Sequence, residues 1–331
     1  MTEPLWAWFV FIAFVIVMLA IDLGIFQRKA HVVKPREAAF WTITWVSLSL
    51  MLGAIFYFWL GQEKAIEYIT GYVLEWSLSV DNIFVFVLVF SYFKVPFKYQ
   101  QRVLLWGILG ALILRGIMIV VGVALIEQFS WILYVFGAFL LFTGLRMLFS
   151  KDDDETDLEK NPALRLVRRL IRVSPEYDGQ KFFTIRDGVR MATPLLLVLV
   201  VIEFTDLLFA VDSIPAIFAV TTDGFIVFTA SIMAVLGLRS MYFLLAHVVH
   251  RFVYLKLGLA IILVYIGIKM LLLDVFHIPS LVSLAVIIAI LAISVVASLV
   301  WGKAKEPGLA TAPEGESKTP SMVASEAESE A

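Results

Sequence analysis

The sequence predicts an all-α polytopic membrane protein with nine transmembrane helices, and three observations carry this prediction. Of the 331 residues, 61% are hydrophobic and only 16% are charged, whereas soluble domains carry about 25% charged residues. Nine apolar stretches reach the roughly 20 residues that a helix needs to cross a bilayer. The basic residues also alternate between the connecting loops. The near-neutral net charge of −2 argues against a nucleic-acid partner.

The nine predicted spans follow one another with mostly short connections. The first is long enough to cross the bilayer, lacks a basic start and ends in QRKA rather than in small residues. We therefore interpret it as a membrane helix and not as a cleavable signal peptide. In chain order, the spans are 5–26, 39–60, 69–93, 103–126, 130–149, 193–220, 225–246, 254–273 and 280–301.

The distribution of Lys and Arg predicts the orientation. Every second connection is basic, and these connections together with the C-terminal segment hold 21 of the 26 basic residues. The connections on the opposite side hold only Lys64. Because cytoplasmic loops carry the excess of positive charge, the N-terminus is predicted to lie outside and the C-terminus in the cytoplasm.

Two segments are predicted to lie outside the bilayer, so the transmembrane domain covers 1–302. The loop 150–191 carries an acidic run and then a basic stretch at 160–173, which we interpret as a surface helix on anionic lipid. A regulatory role for this stretch is the alternative. The tail 303–331 is rich in Pro, Ser, Ala and Glu, a composition typical of disorder.

The chain contains an internal repeat. The segment EWSLSVDNI, which starts at Glu75, aligns with DLLFAVDSI, which starts at Asp206. Further along the two segments, Arg115 aligns with Arg239 and Arg146 aligns with Lys269. Spans 3–5 and 6–8 are therefore predicted to be two copies of one three-helix unit. Because three is odd, the second copy enters from the opposite side, an architecture that recurs in secondary transporters.

Six carboxylates fall within the predicted spans, where an ionised Asp costs about 2.5–3.5 kcal/mol on insertion scales. They cluster instead of scattering, which indicates that they face protein, water or a cation. These residues are Asp22, Glu75, Asp81, Glu203, Asp206 and Asp212.

The carboxylates predict a binding site for a hard divalent cation near the middle of the membrane. Asp81 and Asp212 are the expected paired ligands, and Asn82 and Ser213 complete the shell; Glu75, Asp206 and Glu203 add ligands or relay protons. Oxygen ligands without any cysteine suit Mg²⁺, Ca²⁺ and Mn²⁺. Pro215 removes a backbone donor, so we expect a break in the helix near Asp212.

The alternative is that the carboxylates pair with intramembrane basic residues and only hold helices together. The candidates for this counter-ion role, or for a place along a pathway, are Arg115, Arg239 and Lys269. Asp22 lies near the end of its span and is either a pathway residue or in contact with interfacial water.

No enzymatic activity and no bound cofactor are expected. The chain has no HExxH or GxSxG motif and no cysteine, so a dyad of Asp81 and Asp212 would be the only route to hydrolysis. Neighbouring Asn and Ser side chains are more typical of ion ligands.

The two acidic segments, GYVLEWSLSVDNIFVF and EFTDLLFAVDSIPAIFAVT, closely resemble the signature segments of the TerC/Alx family of integral membrane proteins. The resemblance covers about 15–300, and the nine-span form is similar to the Alx branch. It implies a bacterial inner-membrane protein of metal-ion homeostasis, associated with manganese export and alkaline response, and in other members with tellurium resistance. The acidic motif residues carry over to Glu75, Asp81, Asn82, Glu203, Asp206 and Asp212.

We therefore expect a secondary exporter of a divalent cation, foremost Mn²⁺, driven by proton antiport. Its partners would be the metal ion and the lipid bilayer. The alternative is a membrane scaffold in a metal-stress response, for which the loop 150–191 would matter more than the carboxylates.

Overall fold

The computed structural model describes residues 4–26, 33–149, 172–186, 188–246, 254–276 and 278–301, with the backbone alone for 22–26. Within these ranges nine α-helices follow one another: α1 (Leu5–Phe26), α2 (Pro35–Trp59), α3 (Gln62–Tyr92), α4 (Phe97–Gln128), α5 (Ile132–Phe149), α6 (Pro194–Phe218), α7 (Gly224–Leu245), α8 (Leu255–Leu271) and α9 (Ser280–Trp301).

Seven of these helices are long and apolar enough to cross a membrane, as judged by length and composition. The other two helices are shorter by this criterion. The apolar part of α1 covers Leu5–Ile21, and α8 has 17 residues, which is the lower limit for a span. The predicted class, an all-α polytopic membrane protein, is confirmed.

The helix ends follow from local sequence. Proline occupies the first turn of α2 and α6, where its missing N–H costs no helical bond. Gly61 joins α2 to α3 with a φ of 95°, which glycine adopts without strain. The Asp223 side chain caps α7 by accepting a 3.1 Å hydrogen bond from the Phe225 N–H, so the α6–α7 turn is well defined.

The expected break near Asp212 is wrong. Helix α6 runs without interruption through Pro215 and ends at Phe218. Pro215 lies in the last turn, where one absent donor and a small kink are tolerated. The backbone N–H of Ala219 still donates to the carbonyl of Pro215, at 3.2 Å.

A small β-hairpin lies between α5 and α6, in a loop for which the sequence predicted only a helix. It consists of β1 (Phe183–Arg186) and β2 (Val189–Ala192), which pair antiparallel. The predicted basic helix at 160–173 falls almost wholly outside the described residues, as does the tail 303–331.

The hairpin segment is attached to the helix bundle through Tyr177. The Tyr177 hydroxyl donates a 2.7 Å hydrogen bond to the carbonyl of Phe93, just past the end of α3, and burial raises the pKa of Tyr177 to about 12. Hydrogen bonds from Thr184 and Lys181, at 2.8 and 3.1 Å, lower the pKa of the exposed Asp178.

Helix α7 is the centre of the bundle. In its most apolar window 89% of the residues are buried, against 17% in α5 and α9. It packs against α2, α3 and α4, while α6 packs against α3 and α4. Helix α9 packs on the outside of α3 and α8. Helix α9 is therefore peripheral, whereas α2 contacts the central helix directly.

The two predicted three-helix units, α3–α5 and α6–α8, touch through reciprocal contacts. A Cβ on Gly144 would lie 2.8 and 2.9 Å from the Val264 nitrogen and the Ala260 oxygen. A Cβ on Gly267 would lie 2.6 and 2.8 Å from the Leu141 nitrogen and the Gly137 oxygen.

The positions in the two contacts correspond: Gly144 and Gly267, Leu141 and Val264, and Gly137 and Ala260 are each 123 residues apart. This reciprocity is what two copies related by a two-fold axis would give. Inverted insertion of the second copy stays a prediction.

Candidate functional site

Four helices bring charged side chains together in the bundle interior. The guanidinium of Arg115, on α4, forms ion pairs with Glu75 on α3 and, at 3.8 Å, with Asp206 on α6. Its Nη1 also donates to the Ser231 hydroxyl of α7, at 3.1 Å. We call these four residues, together with Asn82 of α3, the Arg115 cluster.

Neutral side chains hold the remaining carboxylate oxygens of the cluster. The Ser231 hydroxyl donates to Glu75 Oε1 at 3.1 Å, and Asn82 Nδ2 donates to Asp206 Oδ1 at 3.4 Å. Glu75 thus has one oxygen bonded to the arginine and the other to a neutral group. Asp206 has one oxygen bonded to Asn82, while its Oδ2 lies 3.8 Å from Arg115 Nε and has no hydrogen-bond partner in the described part of the chain. Such bonding orients both carboxylates and helps to offset their desolvation.

The Arg115 cluster is sealed from solvent. Arg115 and Glu75 are each 1% exposed, and Asp206 and Asn82 are each 2% exposed. Removing one partner of a buried ion pair leaves an uncompensated charge, which costs about 3–5 kcal/mol. The alternative interpretation, in which Glu75 and Asp206 pair with an intramembrane arginine, therefore describes their observed contacts.

Asp81 and Asp212 lie apart from this cluster and form a second group, which we call the outer pair. Both residues are half-buried, and each lies within electrostatic range of the other. The Thr143 hydroxyl of α5 donates to Asp212 Oδ1 at 3.5 Å, and Lys256 of α8 acts electrostatically on Asp81. The outer pair is therefore more accessible and more weakly held.

Helical geometry accounts for this division. At 100° per residue, Glu75, Ser79 and Asn82 share one face of α3, and all three are buried. Asp81 points about 100° away and is half-buried. In the second copy Asp206 and Ser213 are buried and Asp212 is half-buried, so the two copies present the same arrangement.

Glu203 packs into the space that the missing side chain of Gly110 leaves on the surface of α4. Its carboxylate lies where a Cβ on Gly110 would collide with it, and it is within electrostatic range of Asp206. Its Oε2 is buried without a hydrogen-bond partner in the described part of the chain. A carboxylate in this position can accept a cation that leaves Asp206.

The predicted ligands do not converge on a single point. Among the described residues, no three His, Asp or Glu side chains are grouped closely enough to hold a metal ion. Glu75, Asp206 and Asn82 share one cluster, with Glu203 beside it, while Asp81 and Asp212 form the outer pair. Ser213 is buried on the same face as Asp206.

The family model described as "Integral membrane protein TerC family" matches residues 60–306. The chain belongs to the TerC family. This match contains both acidic segments, so the resemblance inferred from their motifs is confirmed, and the chain is an integral multi-pass membrane protein.

Relatives of this TerC chain are similar over nearly their whole length. An "Uncharacterized membrane protein STKORF319" of Myxococcus xanthus is 54% identical over 92% of this chain and 96% of the relative. A protein of Escherichia coli K12 named "Putative membrane-bound redox modulator Alx" is 51% identical over 88% of this chain and 92% of its own. An uncharacterised membrane protein of Rickettsia bellii is 38% identical over 89% of this chain and 97% of its own. No solved structure matches the chain.

The other basic residues predicted for the TerC site have different surroundings. Arg239, the repeat counterpart of Arg115, lines two small cavities: one also contacts Asp206, and the other contacts Glu37 and Gln101. Lys269 is buried and lies within electrostatic range of Glu67. The side chain of Asp22 lies outside the described part of the chain.

Four residues at the site escaped the sequence interpretation: Ser231, Thr143, Lys256 and Gly110. Ser231 and Thr143 are single hydroxyls in apolar helices, and Lys256 lies at the start of the predicted span 254–273. Gly110 contributes only the space that its missing side chain leaves. The one usable signal was for Ser231, a polar residue on the most buried helix, where it needs a partner.

Proposed function

We propose that this TerC chain is a secondary transporter of a hard divalent cation, with Mn²⁺ the first candidate. One observation carries the proposal: equivalent carboxylates from the two repeat copies, Glu75 and Asp206, meet inside the bundle, with a second equivalent pair, Asp81 and Asp212, nearby. Intramembrane carboxylates that face protein instead of lipid are typical of ion pathways.

The chemistry of the donors favours this class of cargo. The candidate ligands are carboxylate, amide and hydroxyl oxygens, which hard divalent cations prefer. We assign first contact to the outer pair, because its carboxylates are half-buried and already close to each other. Asn82 and Ser213, each next in sequence to one of these aspartates, would complete the coordination once the copies move.

The same residues suggest how transport would be driven. Rocking one repeat copy against the other would expose the site alternately to the two sides. Carboxylates that lose a cation can take up protons, so antiport against protons is the coupling that we propose. Arg239 lines two separate small cavities, one beside Asp206 and the other beside Glu37, and both would form part of the cytoplasmic approach.

The redox-modulator name of the Alx relatives can be related to this proposal. The chain has no cysteine, so it offers no thiol for redox chemistry of its own. A change in the cellular level of a redox-active metal such as manganese would modulate redox state indirectly. We therefore treat metal transport as the primary activity.

The decisive experiment measures Mn²⁺ flux in inverted membrane vesicles. We expect the double variant Asp81→Asn, Asp212→Asn to lose transport by about a hundredfold or more, since both first ligands lose their charge. The matched control, Asp178→Asn, removes an exposed carboxylate from the loop and should transport normally. Transport that survives in the double variant would contradict the site assignment.

Two further measurements test the rest of the proposal. Deletion of 150–171 with intact carboxylates should leave flux unchanged, whereas a scaffold function would be lost. We also propose an inner-membrane location with the N-terminus outside. Because the chain has no cysteine, single cysteines at Ser130 and Lys181 can be labelled selectively. An impermeant maleimide should reach Ser130→Cys in spheroplasts and Lys181→Cys only in inverted vesicles.

A further inference from the structure

We propose that Arg115 is a tethered cation that occupies the Glu75 and Asp206 carboxylates when no metal is bound, and that the transported cation must displace it. This inference rests on the proposed function and adds a built-in competitor to it. Arg115 would thereby set both the affinity of the inner site and the release of the cargo.

The position of Arg115 between the two copies is the first argument. It contacts Glu75 and Asp206, which the internal repeat places at equivalent positions. A divalent cation that bridges the two copies would need the same carboxylate oxygens. Ser231 and Asn82 hold the other two oxygens, so the pair is already oriented around a central positive group.

Charge is the second argument. Two carboxylates and one guanidinium leave the buried cluster with a net charge of −1, whereas two carboxylates and a divalent cation would be neutral. An empty pair of carboxylates is the state that a sealed interior disfavours most. Like charges repel strongly at such short range in a low dielectric. The site is therefore suited to one cation at a time, either Arg115 or the metal.

Glu203 is the third argument, because its carboxylate would be a second partner for the displaced guanidinium. Its carboxylate lies against Gly110 of α4 and within electrostatic range of Asp206. It is also three residues before Asp206, on the same face of α6. A guanidinium that leaves Asp206 would therefore have Glu203 as the next carboxylate along α6.

The test compares Arg115→Gln with Arg115→Lys in the full-length protein, reconstituted in proteoliposomes and supplied with Mn²⁺. Arg115→Gln removes the competing guanidinium and should lower the KM for Mn²⁺ by about tenfold or more, because the arginine no longer occupies the carboxylates for most of the time. The maximal rate should fall, because no internal cation drives release. The lysine variant keeps the charge and should stay close to the wild-type KM.

A matched control removes an arginine that lies outside the cluster. Arg146 is exposed on α5, and Arg146→Gln should leave both KM and rate unchanged. A KM for Arg115→Gln that equals or exceeds the wild-type value would overturn displacement. The absence of wild-type flux with any hard divalent cation would instead overturn the proposed function.

A second measurement covers the case in which Arg115→Gln folds poorly. The variant should be more stable with Mn²⁺ than without it, by a larger melting-temperature shift than the wild type shows, since the metal replaces the lost charge. In Arg115→Ala, added methylguanidinium should compete with Mn²⁺ and have no such effect on the wild type. If Arg115→Gln is destabilised and neither Mn²⁺ nor methylguanidinium restores it, Arg115 is a structural ion-pair partner only.

Discussion

The Arg115 cluster and the outer pair are built from the same kind of residue at equivalent positions of two copies, yet their surroundings are opposite. Glu75 and Asp206 are sealed and share one guanidinium. Asp81 and Asp212 are half-buried, and their neighbours are each other, a threonine and a lysine at the start of α8.

This difference shows that helical phase decides the role of an intramembrane carboxylate. The residues of the cluster face the central helices α4 and α7, where a charge must be neutralised by protein. The outer pair faces α5 and α8, where its neighbours are the Thr143 hydroxyl and the Lys256 ammonium group. A six-residue step along one helix therefore separates a carboxylate with a structural partner from one that remains accessible.

The largest expected difference lies between Glu75→Gln and Asp81→Asn. The first leaves Arg115 with a neutral bond to Ser231 and a single 3.8 Å ion pair, to Asp206, within the described residues, and should lower the free energy of unfolding by about 3–5 kcal/mol. The second also relieves repulsion from Asp212, so its effect should stay within about 1 kcal/mol. Unfolding of the purified variants in mixed detergent micelles would measure both. Equal losses would remove the distinction between the two groups.

A smaller contrast separates the hydroxyls that serve the two groups. Ser231 bonds both Arg115 and Glu75 at 3.1 Å, so Ser231→Ala should cost about 1.5–3 kcal/mol, as for hydrogen bonds to charged groups. The Thr143 contact is longer, at 3.5 Å, and Thr143→Val should cost about 0.5 kcal/mol or less. The same unfolding assay applies, and a larger loss for Thr143→Val would show that the outer pair is the better-ordered group.

A third comparison lies in the loop between α5 and α6, where Tyr177 provides a reference for both groups. Tyr177→Phe removes one neutral hydrogen bond and should cost about 0.5–1.5 kcal/mol. Burial raises the pKa of Tyr177 to about 12, above the value of about 10 for an unfolded chain. Its contribution to stability is therefore complete below pH 10 and is lost as the pH rises through about 12.

The difference in absorbance at 295 nm between wild type and Tyr177→Phe, followed through an alkaline titration, would report this ionisation. A transition near the ordinary tyrosine value would mean that the hairpin segment is not attached to α3 in solution.

Much of this architecture could be predicted from the sequence, because hydropathy and helical phase are local properties. The nine apolar stretches became nine helices in the described ranges, and the angle between Glu75 and Asp81 can be read from their spacing, although the spacing does not tell which of them is buried. The choice between Arg115 and its repeat counterpart Arg239 could not be predicted. That choice depends on how four helices pack, and the sequence of either copy gives no sign of it.

The errors have similar causes. Pro215 was expected to break α6 near Asp212, but its effect depends on the distance to the helix end, which hydropathy locates only roughly. Gly110 makes room for Glu203, and a void of this kind is visible only when the facing helix is in place. The hairpin of β1 and β2, in contrast, has a sequence signal that was missed, because residues 183–186 and 189–191 alternate apolar and polar side chains on either side of Asp187 and Gly188. This pattern is typical of a two-residue hairpin turn.

The glycine crossing of α5 and α8 also limits how the molecule can change shape. Gly144 and Gly267 bring backbone against backbone, and such a close contact leaves little room for the two helices to slide past each other. Relative motion of the two halves would then be a rotation about this crossing. Displacement grows with distance from the crossing, so α4 and α7, on the far side of the bundle, would move furthest for a given angle of rotation.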